Sequence, residues 1–257
     1  MARTEVRFPA AVAIVAATLT LLCLCTAAPA LAQDASLKDF LFGDKRGESQ
    51  RQAPPPPVAR YVSEAGEGFI LDRSSERTLM RFENSPEIWV LQPSVGPRGD
   101  ILYKNDIGQV LLRATRVGGL ILYTGKRAAG ASAALAGTSS PIRLKVIGPG
   151  VLYRILEASS GRASRLTRHL ISFEAEASPA SSTLIADAAI LSVMAIERVS
   201  LRPDGAAMTA RVQRVVIVEG RRPEVILRAG TLLIAVTPSL GVAGRPSSDR
   251  IVAVTVK

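Results

Sequence analysis

The side chains that could carry out chemistry in this sequence are few, and none of them forms a recognised catalytic pattern. His169 is the only histidine, and as a general base it would need a nucleophile and a supporting carboxylate. The sequence has no Gly-x-Ser-x-Gly elbow and no Ser-x-x-Lys pair. Its glycines match neither the phosphate-loop nor the dinucleotide pattern, and a single histidine excludes the zinc-protease helix. His169 therefore remains a candidate only as the partner of a serine nucleophile.

Four carboxylates lie close together in the sequence, at Glu83, Glu87, Asp100 and Asp106. A pair of carboxylates can hydrolyse a glycosidic bond if their separation in space is suitable. Sugar sites also need exposed aromatic side chains, which are scarce here. Asp72-Arg73-Ser74 lacks the glycine of an aspartic-protease loop, so we interpret Asp72 as a turn residue. We assign no catalytic residue, no cofactor-binding residue and no metal ligand from the sequence.

The N-terminal residues have the features of a secretory signal peptide. Arg3 and Arg7 precede an apolar run, which ends in Ala30-Leu31-Ala32. A charged region, an apolar region and a small-x-small site in this order predict cleavage after Ala32. The alternative is an uncleaved anchor, but the run is shorter than the roughly 20 residues of a membrane span. We expect a periplasmic or secreted protein with no transmembrane span after cleavage.

Composition then limits the chemistry and the partners of the exported chain. Both cysteines, Cys23 and Cys25, lie inside the predicted signal peptide, residues 1–32. Disulfides, cysteine-ligated metals and thiol catalysis are therefore excluded, and no cofactor is expected. The chain carries a net charge of +10, and removal of the signal peptide leaves +9. Such a charge favours an envelope protein or an anionic surface polymer as partner, and export argues against nucleic acid.

The sequence divides into four regions after the signal peptide. Residues 33–60 are proline-rich, with four prolines at 54–57, and are interpreted as a linker. Residues 61–127 form a β-rich meander region. Residues 128–140 are small and polar and are interpreted as a flexible linker. Residues 141–257 form an α+β region. The predicted fold class is α+β, mainly antiparallel β, with meander sheets packed against one long buried helix.

Two turn signals define the meander. Asn105-Asp106-Ile107-Gly108 combines Asx chemistry with a glycine that can take a positive φ. Gly118-Gly119 has the length and type of a two-residue hairpin turn. Thr78–Phe82 is predicted to pair with the strand that begins at Gly68. Adjacent apolar residues such as Leu111-Leu112 place apolar groups on both faces of the sheet, so a second element must cover it.

The C-terminal region contains one strongly apolar helix, predicted at 182–199. Few polar residues interrupt it, Asp187 among them, so we expect it to be buried and to cover the meander sheet. The tight link at Gly220–Pro223 predicts a hairpin between its two flanking strands. The remaining elements are predicted as a short helix at 151–158 and as strands at 142–147, 169–176, 209–219, 224–227, 232–237 and 250–256.

Three stretches of the sequence resemble a family of exported bacterial proteins known as a domain of unknown function. They are the segments 98–103 and 112–120 and the closing Gly244-Arg245-Pro246-Ser247-Ser248. The resemblance covers residues from Tyr61 to the C-terminus. It implies an envelope or secreted location, and it brings no activity and no catalytic residues.

Two functional hypotheses follow. The first is an exported, non-catalytic, envelope-associated protein that binds a protein or an anionic polymer, and this is the one we favour. The alternative is an exported hydrolase that uses carboxylates such as Asp100 and Asp106, or a serine with His169.

Overall fold

The computed structural model describes residues 56–257, and its first eight strands pair in the order in which they occur in the chain. Each strand is antiparallel to the next, and the eighth also pairs with the first, which closes a barrel. The strands are β1 (Val58–Ser63), β2 (Gly68–Asp72), β3 (Thr78–Phe82), β4 (Ile88–Val95), β5 (Ile101–Lys104), β6 (Val110–Ala114), β7 (Leu120–Thr124) and β8 (Arg127–Thr138).

Apolar side chains fill the interior of this barrel. The largest fully buried ones are Phe69, Leu71, Met80, Leu91, Leu112 and Leu122. Closure of the sheet on itself therefore buries the inner face without a covering helix. The outer face of β3 and β4 also carries apolar groups, Leu79 and Ile88, and these pack against Ile142.

Strand β8 corrects the interpretation of residues 128–140 as a flexible linker. It is a 12-residue strand that pairs with β7 on one side and with β1 on the other. Its alanines, glycines and serines have low strand propensity, but two neighbouring strands supply its hydrogen bonds, and tertiary context overrides propensity. Strand β1 likewise includes residues that were assigned to the predicted linker 33–60. The rest of that linker, residues 33–55, and the predicted signal peptide lie outside the described residues.

The two hairpin loops on either side of β6 have the same geometry. In the first, Asn105 accepts a hydrogen bond from the amide of Gly108, which has a φ of 85°. The side chain of Asn105 also accepts hydrogen bonds from the amides of Ile107 and Gln109, which confirms the Asx turn. In the second, Thr115 bonds the amide of Gly118 in the same way. The two-residue turn predicted at Gly118–Gly119 is therefore wrong, because the loop begins at Thr115 and Gly118 takes its positive-φ position.

The remaining residues build four helices and a second sheet. They are α1 (Pro149–Thr167), β9 (Ser172–Ala175), α2 (Ser182–Ser200), α3 (Gly205–Ala210), β10 (Arg214–Glu219), β11 (Glu224–Arg228), β12 (Thr231–Val236) and α4 (Ser248–Thr255), with a 3-10 segment at Pro238–Gly244. The strand order is β11-β12-β10-β9.

The second sheet is mixed rather than antiparallel. Strand β10 lies parallel to both β9 and β12, and β11 pairs with β12. The hairpin predicted across Gly220–Pro223 is therefore wrong. The turn Ala229-Gly230 has a positive φ at both residues, and this primed geometry joins β11 to β12 instead. Strand β10 is central and rich in valine and isoleucine, as is typical of parallel strands.

Helix α2 packs on this mixed sheet and not on the barrel. Its buried residues form one core with Val215, Ile217, Leu232 and Ile234. The expectation that it covers the meander is therefore wrong, because the barrel has its own interior. Helix α1, also 19 residues long, packs beside α2 and is far longer than the helix predicted at 151–158.

Two predicted strands are absent from the described part of the chain. Residues 142–147 belong to no sheet, and residues predicted as a strand at 250–256 lie in helix α4. The hydroxyl of Ser247 accepts a hydrogen bond from the amide of Arg250, which caps the start of α4. Within residues 56–257, no helix is both long and apolar enough to cross a membrane.

Two glycines of the β7–β8 hairpin test the packing of the closing strand. Gly130 has a φ of 86°, and a Cβ there would lie 2.6 Å from Ile121 Cγ2. We expect Gly130→Ala to lower the free energy of unfolding by more than about 1 kcal/mol, through strain and collision. Gly125→Ala meets open space, so it should change stability by less than about 0.5 kcal/mol. Urea unfolding of both variants measures the difference, and equal stabilities would contradict the position of β8.

Candidate functional site

A set of polar and charged side chains, most of them buried, joins the barrel to the C-terminal elements. We call it the junction cluster. The barrel contributes side chains from the β3–β4 and β5–β6 loops, α2 contributes two, and the rest come from the segment that leads into α4. Its members are Glu87, Asn105, Asp106, Asp187, Arg198, Arg245, Ser247, Ser248, Asp249 and Arg250.

Arg245 lies at the centre of the cluster and is only 4% exposed. Its guanidinium donates to the carboxylate of Asp187 on α2, and it also donates to the backbone carbonyl of Ile88 on β4 at 2.6 Å. One side chain thus holds the C-terminal segment, the buried helix and the barrel together. Burial raises the pKa of Asp187, and the charge and hydrogen bond of Arg245 oppose this effect.

Glu87 and Ser248 form the second buried contact of the cluster. The hydroxyl of Ser248 donates to Glu87 at 2.6 Å and its amide donates at 2.9 Å. Burial raises the pKa of Glu87 from 4.5 to about 6, although these hydrogen bonds and the charge of Arg245 act to lower it. Arg198 donates to the oxygen of Ser248 at 3.0 Å. The carboxylate of Glu87 is therefore buried in the junction cluster, with the hydroxyl and the amide of Ser248 as its hydrogen-bond donors.

Two further contacts complete the cluster at the β5–β6 loop. Asp106 accepts hydrogen bonds from the hydroxyl and the amide of Ser247. Asp249 accepts from Asn105 at 2.9 Å and from Arg198 at 2.6 Å. The Asx turn of the meander is thus also a contact surface for the start of α4.

The geometry of the junction cluster is that of a structural contact. Ser248 is fully buried, and its hydroxyl already donates a hydrogen bond to the carboxylate of Glu87. A catalytic serine needs a position that a substrate can reach and a base that can accept its proton. Glu87 and Ser248 are enclosed by the two parts that they join, so we assign them to the stability of the junction.

The structure places the sequence candidates in different parts of the molecule. Glu87 and Asp106 both reach the junction cluster. Glu83 pairs with Arg60 on the surface, and Asp100 accepts hydrogen bonds from Arg113 and from the amide of Arg116. These last two carboxylates are therefore separate from the cluster and from each other.

The histidine and the proposed turn aspartate also have structural partners. Nε2 of His169 lies 2.9 Å from the carbonyl of Val212, and Nδ1 lies 3.2 Å from the carbonyl of Thr167. Asp72 accepts hydrogen bonds from Ser74 and from the amide of Ile142. Although burial raises the pKa of Asp72, these hydrogen bonds together hold it below its usual value. Asp72 is the last residue of β2 rather than a turn residue, but its side chain bonds Ser74 in the turn that follows, and it also binds the segment that leaves the barrel.

Sequence reasoning missed Arg245 and Asp187 as partners. The signal was present, because a carboxylate in an otherwise apolar helix requires a buried cation. From the sequence, the motif at 244–248 carries only a family resemblance. Its role emerges from contacts with residues up to 161 positions away in the chain.

A groove lies beside the junction in the described part of the chain. It has a volume of about 810 Å³ and lies between the β2–β3 turn, the segment after β8, the start of α2 and the 3-10 segment. Its apolar walls include Leu79, Ile142, Leu144, Leu184 and Val242. This volume is within the usual range of ligand pockets.

The rim of the groove is positively charged. Arg77 and Arg143 are exposed at its edge, and neither makes an ion pair with any residue of 56–257. Glu76 is the only exposed acidic residue that lines it. The groove therefore combines aliphatic and polar walls with two exposed guanidinium groups that form no ion pair within residues 56–257. Among the same residues, no group of three histidine, cysteine or carboxylate side chains is placed to hold a metal ion.

Residues 56–257 thus form a closed eight-stranded barrel, followed by a C-terminal part in which α-helices pack on a mixed four-stranded sheet. Residues 36–255 match the family described as Domain of unknown function (DUF4908), and the chain belongs to that family. No curated protein matches the chain. No solved structure matches it either.

The raised pKa of Glu87 predicts a specific pH dependence of stability. Between pH 4.5 and about 6 the folded protein binds more protons at Glu87 than the unfolded protein does. The contribution of Glu87 to the free energy of unfolding therefore falls as the pH rises through this window. This shift in the pKa of Glu87 changes the free energy of unfolding by up to about 2 kcal/mol.

We expect Glu87→Gln to remove this dependence. Between about pH 4.5 and about pH 7.5, the free energy of unfolding of the wild type should fall by up to about 2 kcal/mol relative to that of the variant. Urea unfolding of both proteins at each pH measures this difference. Glu64→Gln, at an exposed position, is the control and should follow the wild type. A difference between wild type and Glu87→Gln that stays constant with pH would contradict the assignment.

Proposed function

We propose that this is an exported, non-catalytic, envelope-associated protein that binds an acidic segment of another protein in the groove. The observation that carries the proposal is the combination of a groove of about 810 Å³, lined by both aliphatic and polar residues, with two exposed arginines at its rim. Apolar walls contribute affinity through burial of a ligand, and guanidinium groups select carboxylates by forming paired hydrogen bonds.

Export is supported by the sequence of residues 1–32. The charged, apolar and small-residue regions have the order of a signal peptide that is cleaved after Ala32. The cleaved protein would be periplasmic or secreted, where its +9 charge meets envelope proteins and acidic polymers. N-terminal sequencing of the exported protein should give Gln33 as the first residue.

A protein segment is favoured over a polymer by the shape and chemistry of the groove. A uniformly charged polymer would gain little from the leucine, isoleucine and valine side chains of the walls. A peptide with both acidic and apolar residues would contact the rim and the floor together. The hydrolase alternative has no such support, because His169, Asp100 and Asp106 each bond to structural partners.

A charge reversal at the groove tests the proposal. Wild type carrying a photoreactive benzoylphenylalanine at Val146, which lines the groove, would be crosslinked in the envelope fraction and the attached peptides identified by mass spectrometry. We expect one or a few proteins to be attached through acidic segments. Arg77→Glu/Arg143→Glu in the same background should lower the yield at least about tenfold, since two charge contacts are reversed.

The matched control is Arg211→Glu/Arg221→Glu, which changes the net charge equally at two exposed arginines outside the groove. This control should crosslink as the wild type does. If both double variants lost crosslinking yield equally, the loss would result from net charge alone, and this would contradict the groove as the binding site. Retention of an acidic polymer in place of a protein, lost in the groove variant alone, would contradict the class of ligand.

A further inference from the structure

The segment that leaves the barrel has an unusual backbone. Residues 139–148 run without a helix, a turn or a bend. The amide of Ile142 donates to Asp72 at 2.7 Å, which fixes the start of the segment. From residue 143 to residue 147, no backbone amide or carbonyl bonds to any residue within 56–257. Five consecutive residues thus keep their backbone hydrogen-bonding groups available.

The side chains of the same segment alternate as they do in a strand. Ile142 is buried and Leu144 is half-buried, and both pack against the outer face of β3 and β4. Arg143 and Lys145 between them are exposed. Residues 142–145 thus have the pattern of a strand with one packed face, and the alternation ends there, because Val146 is exposed and Ile147 is half-buried. The first part of the strand predicted at 142–147 therefore has the side-chain order of a strand but lacks a pairing partner among the described residues.

We propose that Arg143–Ile147 is an edge to which the partner's segment adds as a strand, within the groove of the proposed function. A polypeptide with a free strand edge can accept an extended peptide through backbone hydrogen bonds, while side-chain pockets supply the specificity. Arg143, Leu144 and Val146 line the groove, so one bound peptide would contact both the edge and the aliphatic walls. The inference rests on the proposed function and adds the mode of binding.

The surroundings of the edge define the chemistry of the peptide. Arg77, Arg143 and Lys145 place three exposed cations around it. Val146 is 86% exposed and Leu240 is 41% exposed, and both line the groove. A complementary strand carries acidic residues at alternate positions, with aliphatic residues between them. The occupant is thus an extended acidic and aliphatic segment of a partner protein.

Defined peptides serve as probes of this mode. The first is a capped ten-residue peptide of alternating Glu and Val, and the second replaces every Glu with Lys. A third is the Glu-Val peptide with N-methyl groups on alternate amides of one edge, and a fourth methylates the other edge. Binding to the cleaved full chain would be measured by fluorescence anisotropy. We expect only the Glu-Val peptide and one of the two methylated forms to bind.

Two proline variants test the backbone contact from the side of the protein. In a strand, the amides of adjacent residues point in opposite directions, so Lys145→Pro and Val146→Pro remove donors from opposite edges. Both side chains are exposed, so neither change opens a cavity. One of the two variants should weaken binding about fivefold to tenfold relative to Lys145→Ala or Val146→Ala. A melting curve for each variant confirms that it is folded.

Hydrogen exchange separates the possible outcomes. We expect the amides of residues 143–147 to exchange rapidly in the free protein and slowly with the Glu-Val peptide bound. If peptide binding depended on Arg77 and Arg143 while the amides of residues 143–147 still exchanged rapidly in the complex, strand addition would be overturned. This result would be consistent with the proposed function. Slow exchange before any peptide is added would show that the edge is already paired, within the chain or with a second copy, and would also overturn it. If the unmodified Glu-Val peptide did not bind to the wild-type protein at all, this would contradict the proposed function itself.

Discussion

The buried guanidinium of Arg245 is the interaction on which the arrangement of this protein depends. Removal of a charge from water costs several kcal/mol, and this cost is offset only where the charge has good partners. Asp187 of α2 and the carbonyl of Ile88 on β4 are those partners. Because one belongs to the helix and the other to the barrel, Arg245 is satisfied in one relative position of the two parts. The groove lies between the same elements, so its shape follows from that position.

The junction also gathers most of the buried charged side chains of residues 56–257 in one place. Ser247, Ser248 and Asp249 each bond to a barrel residue at the point where α4 begins. Apolar contacts could hold the two parts together in several orientations, whereas hydrogen-bonded charges are directional. The apolar contact of Leu79, Ile88 and Ile142 then adds burial to an orientation that the polar contacts select.

Local signals in the sequence were sufficient for some of the hairpins and for the position of helix α2. Gly68–Asp72 pairs with Thr78–Phe82, and the Asx turn at Asn105 is present, because short-range turn chemistry and alternation determine both. Helix α2 begins at Ser182, as its apolar pattern indicated. The pairing of β8 with β1, by contrast, joins residues 70 or more positions apart, and the small side chains of β8 carry no apolar signal.

The same limit applies to the second sheet and to the site. The parallel pairing of β10 with β12 skips over β11, so no turn between neighbours in the sequence reveals it. The residues at 250–256 alternate like a strand, but the cap at Ser247 and the contacts of Asp249 favour a helix. The junction cluster and the groove combine side chains from distant elements, so only the tertiary fold brings them together.

The central claim is that the junction makes the barrel and the C-terminal part a single cooperative unit. Trp89, the only tryptophan, lies in the barrel, and every α-helix of residues 56–257 lies in the C-terminal part. Urea unfolding followed by tryptophan fluorescence and by circular dichroism at the helix band therefore reports on each part separately. The account predicts that the two transitions coincide in midpoint and slope. Two separate transitions would contradict it.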